Sequence, residues 1–258
     1  MISFVGAGPG AADLITLRGL DRLAAADVVV WAGSLVSPEL LRRCRADAVV
    51  HDSKGMTLDE VCAVYVTHPD AAIVRLHSGD PSVYSAVGEQ IAWCRAHDRA
   101  FEVVPGVSSM AAAAALGGCQ LTMPGVAQSV VMTRLAVGTA ASMPDHESIE
   151  AFAATGATMA VFLSVAHVEE LARRLLAAPS AFTAGTPVLV AYHASWPDQQ
   201  LLPTTVGEMA SAVQAAGLRA ATLFLVGPAL AGAGSPSHVY APSYATRFRA
   251  ASAPSDHG

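Results

Sequence analysis

Positive charge is scarce in this sequence, which contains a single lysine, Lys54, among its 258 residues. Charged residues make up only 14% of the chain, and the formal net charge at pH 7 is −6. Proteins that bind nucleic acids need clustered lysine and arginine to neutralise phosphates, so this composition argues against a nucleic-acid partner. A few well-placed arginines are still sufficient to bind an acidic small molecule.

Cysteines with the spacing of a disulfide framework or a metal site are also missing. The four cysteines lie far apart and include no C-x-x-C pair: Cys44, Cys62, Cys94 and Cys119. This spacing indicates reduced thiols. The nine histidines follow no H-E-x-x-H pattern or other ligand spacing, so we expect no metal site.

Long hydrophobic runs are absent, although 53% of the residues are hydrophobic. The most apolar stretches are interrupted by Asp27, by Pro105-Gly106 or by Arg134 before they reach the roughly 20 residues that a transmembrane helix needs. Met1-Ile2-Ser3 offers no basic region of the kind that begins a signal peptide. We therefore expect a soluble, cytoplasmic protein without a membrane partner.

Two apolar strands that run directly into small-residue loops are the most informative feature of the chain. The first is followed by Gly6-Ala7-Gly8-Pro9-Gly10, and the second by Ser78-Gly79-Asp80-Pro81. Such loops let the backbone come close to a bound small molecule. A tight turn that binds nothing is the alternative interpretation.

The first loop partly fits a dinucleotide-binding site, because Gly6, Gly8 and Ala11 match G-x-G-x-x-G/A. A ribose-binding carboxylate is missing after the second predicted strand, since Asp27 precedes that strand. Pro9 also removes a backbone N–H that a pyrophosphate would need. No Gly-Lys-Ser/Thr follows the loop, which excludes a Walker motif. The loop therefore favours a ligand without phosphate.

Apolar strand-like runs alternate with helical patterns, which predicts an α/β fold with parallel strands. We expect strands at 2–5, 27–31, 48–51, 72–77, 101–104, 128–133, 158–163, 187–192 and 221–226. We expect helices at 13–25, 38–45, 57–67, 84–96, 108–116, 147–153, 166–177 and 206–216. Ser37-Pro38-Glu39 and Thr57 with Glu60 are typical helix starts.

The pattern changes character near Gly117-Gly118, which predicts a domain boundary. We expect an N-terminal α/β domain at 1–117 and a C-terminal α/β domain at 118–231. Residues 232–258 are rich in Ser, Pro and Ala without periodicity, so we expect a disordered tail.

Seven segments between residues 5 and 227 resemble, in order, the tetrapyrrole methylase family, which transfers a methyl group from S-adenosylmethionine to ring carbons of corrin precursors. They are VGAGPGAADLITLRG at 5–19, RLHSGDPSVYSAVGEQ at 75–90, EVVPGVSSMAAAAA at 102–115, AQSVVMTR at 127–134, FLSV at 162–165, TPVLVAYHASWPDQ at 186–199 and ATLFLVG at 221–227.

Two further segments are similar to the branch of that family that methylates C11 of precorrin-4, WAGSLVSPELL at 31–41 and HDSKGMTLDE at 51–60, and so is the end of the second of the seven, YSAVGEQ at 84–90. The uroporphyrinogen enzymes carry Asp-Arg-Leu in place of part of the first. The resemblance implies formation of precorrin-5 in cobalamin biosynthesis. The alternatives are a cobalt-precorrin-4 or uroporphyrinogen-III methylase, a related methylase acting on protein or ribosomal RNA, a nicotinamide-dependent oxidoreductase, and a binding protein without turnover.

The resemblance also implies a homodimer of two-domain subunits with the active site in the cleft between the domains. Carried over by position, the residues that bind S-adenosylmethionine are Pro9, Gly79, Asp80, Val83, Ser108, Ser109, Leu163 and Ala194. Leu163 stands where methionine is usual and Ala194 where glycine is usual, so side-chain contacts at these two positions are in doubt.

Several of these residues have a purely structural alternative. Asp80 can cap a helix after Pro81, and Ser108 and Ser109 can cap the helix that follows them. The macrocyclic substrate carries many carboxylates, so we expect arginine to contact it. The candidates for substrate binding are Arg134, Tyr84 and Arg18, followed by Lys54, Arg75, His77 and His193. No catalytic side chain is assigned.

Overall fold

A computed structural model of the protein describes residues 1–137, 142–144, 146–232, 234–235 and 237–252. The strands are β1 Ile2–Gly6, β2 Val28–Trp31, β3 Val49–Asp52, β4 Ile73–His77, β5 Phe101–Val104, β6 Val130–Arg134, β7 Thr158–Phe162, β8 Pro187–Tyr192, β9 Gln200–Thr205 and β10 Thr222–Val226. The α-helices are α1 Leu17–Ala24, α2 Leu58–Thr67, α3 Val87–Ala96, α4 Ser109–Leu116, α5 Ile149–Ala153, α6 Val168–Leu175 and α7 Met209–Ala215.

The chain divides into two compact units. The first comprises Met1–Leu116, Ala191–Leu201 and Ala220–Leu223, and the second comprises Gly117–Val190, Leu202–Arg219 and Phe224–Gly258. The domain limits expected at residues 117 and 231 remain predictions, as does disorder of the tail. Within the tail, the Arg249 guanidinium donates to the carbonyls of Val239, Ala241 and Tyr244.

The first sheet has the strand order β3-β2-β4-β1-β5, and its neighbouring strands run parallel. Phe4 packs on one face of the sheet in a core with Tyr65 and Ile73. Val5 packs on the opposite face with Leu23 and Leu76. Burial on both faces explains why these strands are nearly continuous apolar runs. Because the strands are parallel, the loops after β4, β1 and β5 leave from the same edge.

The second sheet has the strand order β6-β7-β10-β8-β9. β6 runs parallel to β7, but β10 runs antiparallel to β7, so the prediction of parallel strands throughout is wrong for this sheet. β9 is not among the predicted strands, and it contains Pro203, a residue that ordinarily argues against a strand. Proline is tolerated on an edge strand, where its missing N–H breaks no ladder, and β9 ends the strand order.

Four predicted helices differ from the structure by three or more residues or in helix type, and one of them is α7, which begins at Met209 instead of residue 206. The helix expected at 13–25 is a 3-10 turn, Ala12–Leu14, followed by α1, and the one expected at 38–45 is a 3-10 segment, Pro38–Arg43. α3 begins at Val87 instead of residue 84, because Tyr84 and Ala86 adopt positive φ angles of 51° and 53°. Such angles do not continue a right-handed helix.

Both predicted helix starts are confirmed. The Ser37 hydroxyl accepts a hydrogen bond from the N–H of Glu39. Thr57 and Glu60 form a capping box, in which each side chain accepts from the other residue's backbone N–H. Across the described residues, no helix combines the length and apolar character that crossing a bilayer requires.

Candidate functional site

Three loops of the first unit meet at the carboxyl edge of its sheet. They follow β1, β4 and β5, which are neighbours in the strand order. Gly8 donates its N–H to the Gly79 carbonyl at 3.2 Å, and Gly79 donates back to the Gly8 carbonyl at 2.8 Å. Ala7 donates to the His77 carbonyl at 2.8 Å. The two loops singled out in the sequence are therefore joined to each other by backbone hydrogen bonds.

Glycine is required where these loops touch. A Cβ atom on Gly106 would lie 2.1 Å from the Gly79 oxygen and 2.7 Å from the Gly6 Cα. A Cβ on Gly6 would lie 2.5 Å from the Gly106 Cα. Gly79 also has a φ of +65°, in the left-handed region that favours glycine. We call Gly6, Gly79 and Gly106 the glycine junction.

Asp80 ties the second loop to the third. Its Oδ2 accepts from the Gly106 N–H at 2.7 Å, and its Oδ1 accepts from the Ser82 N–H at 2.8 Å and from the Ser82 hydroxyl. Burial alone would raise the pKa of Asp80, but the hydrogen bonds from Ser82 and Gly106 outweigh it and hold that pKa below its ordinary value. The carboxylate is thus charged at neutral pH. The helix that Asp80 was expected to cap is absent, because residues 81–86 form turns.

The loop after β1 offers few free N–H groups to a phosphate. Ala7, Gly8 and Ala11 donate to acceptors within the protein, and Pro9 has no N–H. α1 begins only at Leu17, so its N-terminus does not directly follow the glycines. A dinucleotide site needs the opposite arrangement. These contacts support the interpretation that the ligand lacks phosphate.

The two serines of the third loop begin α4. The Ser108 hydroxyl accepts from the N–H of Met110 at 3.3 Å, so its capping role is present in the structure, and Ser109 is the first helical residue. Val83 lies in the turn after Asp80, where its N–H donates to the Asp80 carbonyl at 3.2 Å. Val83, Ser108 and Ser109 are therefore on the same joined loops as Gly79 and Asp80.

Ala194 lies in a further segment of the first unit, after β8. It is buried, and both neighbours have left-handed backbones, with φ of 45° at His193 and 71° at Ser195. The Ser195 hydroxyl accepts from the Ala11 N–H at 3.0 Å, and the Trp196 indole N–H donates to the Pro9 carbonyl at 3.0 Å. Sequence reasoning missed Ser195 and Trp196. The only available signal was their position in a segment that matches the family.

His77, at the end of β4, is a buried neutral side chain. Its exposed fraction is 4%, and burial, reinforced by the charge of Arg75, lowers its pKa to about 3. Arg75 is itself mostly buried and donates to the Ser53 hydroxyl at 2.8 Å. His77 therefore carries no charge at neutral pH.

Of the remaining predicted residues, Tyr84 lies on the loop after β4, and Leu163, Arg134 and Arg18 lie away from the joined loops. Leu163 follows β7 and belongs to the second unit, where its side chain is 70% exposed at a φ of +52°. Arg134 also belongs to the second unit and donates to the Ser142 hydroxyl at 2.7 Å. In the first unit, Arg18 is exposed on α1, and Tyr84 is half exposed in the turn after Asp80.

Comparison with known proteins assigns the family. The family model described as Tetrapyrrole (Corrin/Porphyrin) Methylases matches residues 1–210. The chain is 43% identical over 251 residues to a precorrin-4 C(11)-methyltransferase of Sinorhizobium sp, covering 96% of this chain and 98% of the relative. It is 38% identical over 231 residues to a cobalt-precorrin-4 C(11)-methyltransferase of Methanocaldococcus jannaschii, covering 89% and 88%.

Solved structures agree with this assignment. The X-ray structure of a cobalt precorrin-4 methyltransferase, a cobalamin biosynthetic enzyme, matches with a TM-score of 0.85 and 36% identity, covering 89% of this chain and 95% of that one. A uroporphyrin-III C-methyl transferase from Thermus thermophilus, complexed with S-adenyl homocysteine, matches with a TM-score of 0.72 and 25% identity, covering 90% and 99%. The predicted α/β fold class is confirmed. The chain belongs to the tetrapyrrole (corrin/porphyrin) methylases.

Proposed function

We propose that this protein is an S-adenosylmethionine-dependent C-methyltransferase that methylates precorrin-4 at C11, giving precorrin-5 in cobalamin biosynthesis. The observation that carries the proposal is the similarity, over nearly the whole length of both chains, to precorrin-4 C(11)-methyltransferases. The loop after β1 is consistent with it, because most of its N–H groups are already bonded within the protein. A nicotinamide-dependent oxidoreductase would need those groups for a pyrophosphate.

The proposed donor site consists of Pro9, Gly79, Asp80, Val83, Ser108, Ser109, Leu163 and Ala194. S-adenosylmethionine has an amino acid end, a sulfonium and an adenosine, so its recognition needs backbone donors and acceptors and no phosphate-binding loop. Small residues at the glycine junction allow close approach to the backbone. The Asp80 carboxylate holds the second and third loops together and is already charged when the donor's ammonium or ribose arrives.

The reaction asks little of the side chains. An electron-rich ring carbon attacks the donor methyl in line with sulfur, a carbon–carbon bond forms as the sulfur–methyl bond breaks, and the sulfonium becomes a neutral thioether. The positive charge passes to the ring, which returns to neutrality by losing a ring N–H proton. Holding the two reactants in that geometry is worth roughly 7–11 kcal/mol. The protein therefore needs no covalent nucleophile, and its residues act by binding, aligning and excluding water.

Arginines are the proposed contacts to the substrate, because a guanidinium pairs with a carboxylate through two hydrogen bonds. The candidates remain Arg134, with Tyr84 and Arg18 as further contacts. A homodimer is the proposed assembly, as the family resemblance implies, and the cytoplasm is the proposed location on the basis of the sequence composition. The domain limits at residues 117 and 231 are proposed from the glycine pair Gly117-Gly118 and from the change in composition after residue 231.

Two measurements test the proposal. Calorimetry should show binding of S-adenosylhomocysteine and none of NADH or ATP. Incubation with S-adenosylmethionine and precorrin-4 should add one methyl by mass spectrometry, whereas uroporphyrinogen III should gain none. Methylation of uroporphyrinogen III alone would move the chain to another branch of the family. Binding of NADH without S-adenosylhomocysteine would overturn the proposal altogether.

Cobalt-precorrin-4 is a second candidate substrate. It is favoured by the similarity to relatives named cobalt-precorrin-4 C(11)-methyltransferase, one of which has a solved structure. The same mass-spectrometric assay with the metal-free and the cobalt-loaded macrocycle separates the two candidates. The larger kcat/KM identifies the natural substrate.

A further inference from the structure

Trp196 lies directly on the loop after β1. Its indole N–H donates to the Pro9 carbonyl at 3.0 Å. A Cβ atom added to Gly10 would lie 2.2 Å from Trp196 Cδ1 and 2.4 Å from Nε1, so the ring occupies the space that any side chain at position 10 would take. The indole therefore contacts two consecutive residues of the loop, one through a hydrogen bond and one through packing.

Ser195 contacts the next residue of the same loop. Its hydroxyl accepts from the Ala11 N–H at 3.0 Å. Its own backbone is held in place, because the Ser195 N–H donates to the Gln199 side chain at 2.9 Å. Two adjacent residues after β8 thus engage the carbonyl of residue 9, the Cα of residue 10 and the N–H of residue 11.

The indole ring of Trp196 also packs against other aromatic rings of the same segment. It stacks on His193, with ring centroids 5.3 Å apart, and His193 stacks on Tyr192 at 4.0 Å. Nδ1 of His193 lies 3.0 Å from both carboxylate oxygens of Asp198. We call Tyr192, His193, Ser195, Trp196 and Asp198 the aromatic clamp. A hydrogen-bonded and stacked side chain has few alternative rotamers, so the clamp presents one geometry to the loop.

We propose that the aromatic clamp, acting through Trp196 and Ser195, is a positioning device for the methyl donor. By engaging the Pro9 carbonyl and the Ala11 N–H, it sets the backbone of the loop before the donor arrives. Setting a binding loop in advance lowers the entropy lost on binding and so raises affinity. The inference rests on the proposed function, in which Pro9 contacts the donor. It adds residues that do not themselves touch the donor.

The central test replaces Trp196 by phenylalanine, which keeps an aromatic ring and removes the N–H. Loss of one such hydrogen bond typically changes an equilibrium by about 2- to 10-fold. The Kd for S-adenosylhomocysteine and the KM for S-adenosylmethionine should therefore rise about 2- to 10-fold. The kcat at saturating donor should stay within about twofold, because the reacting atoms are not contacted. An unchanged Kd, or a loss of kcat alone, would overturn the proposal.

Trp93→Phe is the matched control, since it makes the same chemical change elsewhere in the first unit. The Trp93 ring packs against Tyr65 and His97, with centroids 5.6 Å and 4.2 Å away. Its substitution should leave the Kd for S-adenosylhomocysteine unchanged. Ser195→Ala keeps the backbone and removes the hydroxyl that accepts from Ala11, and it should weaken donor binding in the same direction. If Trp196→Phe does not fold, as judged by circular dichroism, Ser195→Ala decides the question.

Fluorescence provides a reading that does not depend on turnover. With Trp31 and Trp93 replaced by phenylalanine, Trp196 is the remaining tryptophan of the chain. Its emission should change little as S-adenosylhomocysteine is titrated, because the clamp holds Trp196 in the same contacts before and after the donor binds. Binding by calorimetry together with a large shift in emission would show that the clamp rearranges, which would contradict a loop set in advance while leaving the proposed function intact. No binding by the unsubstituted protein would overturn both.

Discussion

The ends of the strands are built differently in the two sheets. In the first sheet, the loops that meet contain glycine at the points of contact, and Gly8 and Gly79 adopt the left-handed angles there. In the second sheet, the residues after β7 and β8 are Leu163 and His193, which adopt positive φ with full side chains. A non-glycine residue in this region costs about 1–2 kcal/mol.

The difference shows two kinds of backbone geometry at the ends of strands. In the first sheet, glycine stands where the three loops touch, although Tyr84 and Ala86, further along the loop after β4, also adopt positive φ angles. After β7 and β8 of the second sheet, the positive φ falls on residues with a side chain, and 70% of the Leu163 side chain is exposed, whereas Gly227 takes this position after β10. Strain of this kind concentrates at functional sites. The comparison predicts that substitutions at the two kinds of strand end have opposite effects on stability.

Gly106→Ala should produce the largest effect. The new Cβ would lie 2.1 Å from the Gly79 oxygen, and backbone cannot move aside as a flexible side chain can. We expect a loss of more than about 3 kcal/mol in the free energy of unfolding, measured by urea denaturation. Gly88→Ala is the control, because nothing lies within 4 Å of a Cβ there. That helical change should stabilise the protein by about 0.5–1 kcal/mol. Equal effects at the two positions would refute the glycine junction.

Asp80→Ala should cause the next largest loss of stability. It leaves the N–H groups of Gly106 and Ser82 without their acceptor, which costs about 1–3 kcal/mol. The pKa of Asp80 is lower in the folded protein than its ordinary value of 3.8. The charged Asp80 carboxylate therefore stabilises the fold fully above pH 3.8, and this stabilisation is lost as the pH falls through the lowered pKa. The difference between variant and parent in urea denaturation should therefore shrink in acid. Asp70→Ala, an exposed carboxylate, should change stability by less than about 0.5 kcal/mol.

His77→Gln should change how stability depends on pH. The folded protein keeps His77 neutral, with a pKa of about 3, whereas the unfolded chain takes up a proton below about 6.5. The free energy of unfolding of the parent should therefore fall by about 1.4 kcal/mol for each pH unit between 6.5 and 3 on account of this residue. The variant should lack that contribution, so its stability should depend less steeply on pH. Parallel curves for the two proteins would contradict the neutral state of His77.

Leu163→Gly should give the smallest change and the opposite sign. Glycine adopts the left-handed angle without strain, but it also raises the entropy of the unfolded chain. The net result should be an increase of about 0.5–1 kcal/mol in the free energy of unfolding. Affinity for S-adenosylhomocysteine should nevertheless decrease, because the proposed donor contact is lost. Ala221→Gly is the control, at a φ of 45° outside the proposed site. Ala221→Gly should raise the free energy of unfolding by a similar amount and leave the affinity for S-adenosylhomocysteine unchanged. Weaker binding by Ala221→Gly would contradict a donor contact specific to Leu163.

Local patterns explain why the first sheet and its loops were predictable from the sequence. An apolar run that breaks into glycine at Gly6 or Ser78-Gly79-Asp80 identifies both the strand and its end. β9 could not be recognised, because Pro203 normally excludes a strand and only its place at the edge of the sheet permits it. The antiparallel direction of β10 could not be predicted either, because an apolar run has the same appearance in a parallel and in an antiparallel strand.

Contacts between distant residues account for what was missed at the site. The hydrogen bond from Trp196 to Pro9 joins residues 187 positions apart, and no local pattern predicts it. The same holds for Asp80, for which the sequence predicted a contact to the donor, with a helix cap as the structural alternative. The structure instead uses the carboxylate to hold Gly106, which lies 26 residues later in the chain. The sequence predicts candidate residues for the site, and the fold determines their hydrogen-bond partners.

The contact between Gly6 and Gly106 also bears on how this chain can be recombined with its relatives. The two residues are a hundred positions apart, yet their backbones touch so closely that neither loop has room to diverge alone. Consider a chimera in which β1 and the loop after it come from another methylase, while β5 and the loop after it come from this chain. The two loops that touch at Gly6 and Gly106 then come from different proteins. Chimeras should therefore fold when both segments come from the same protein, and they should fold poorly when the two segments come from different proteins.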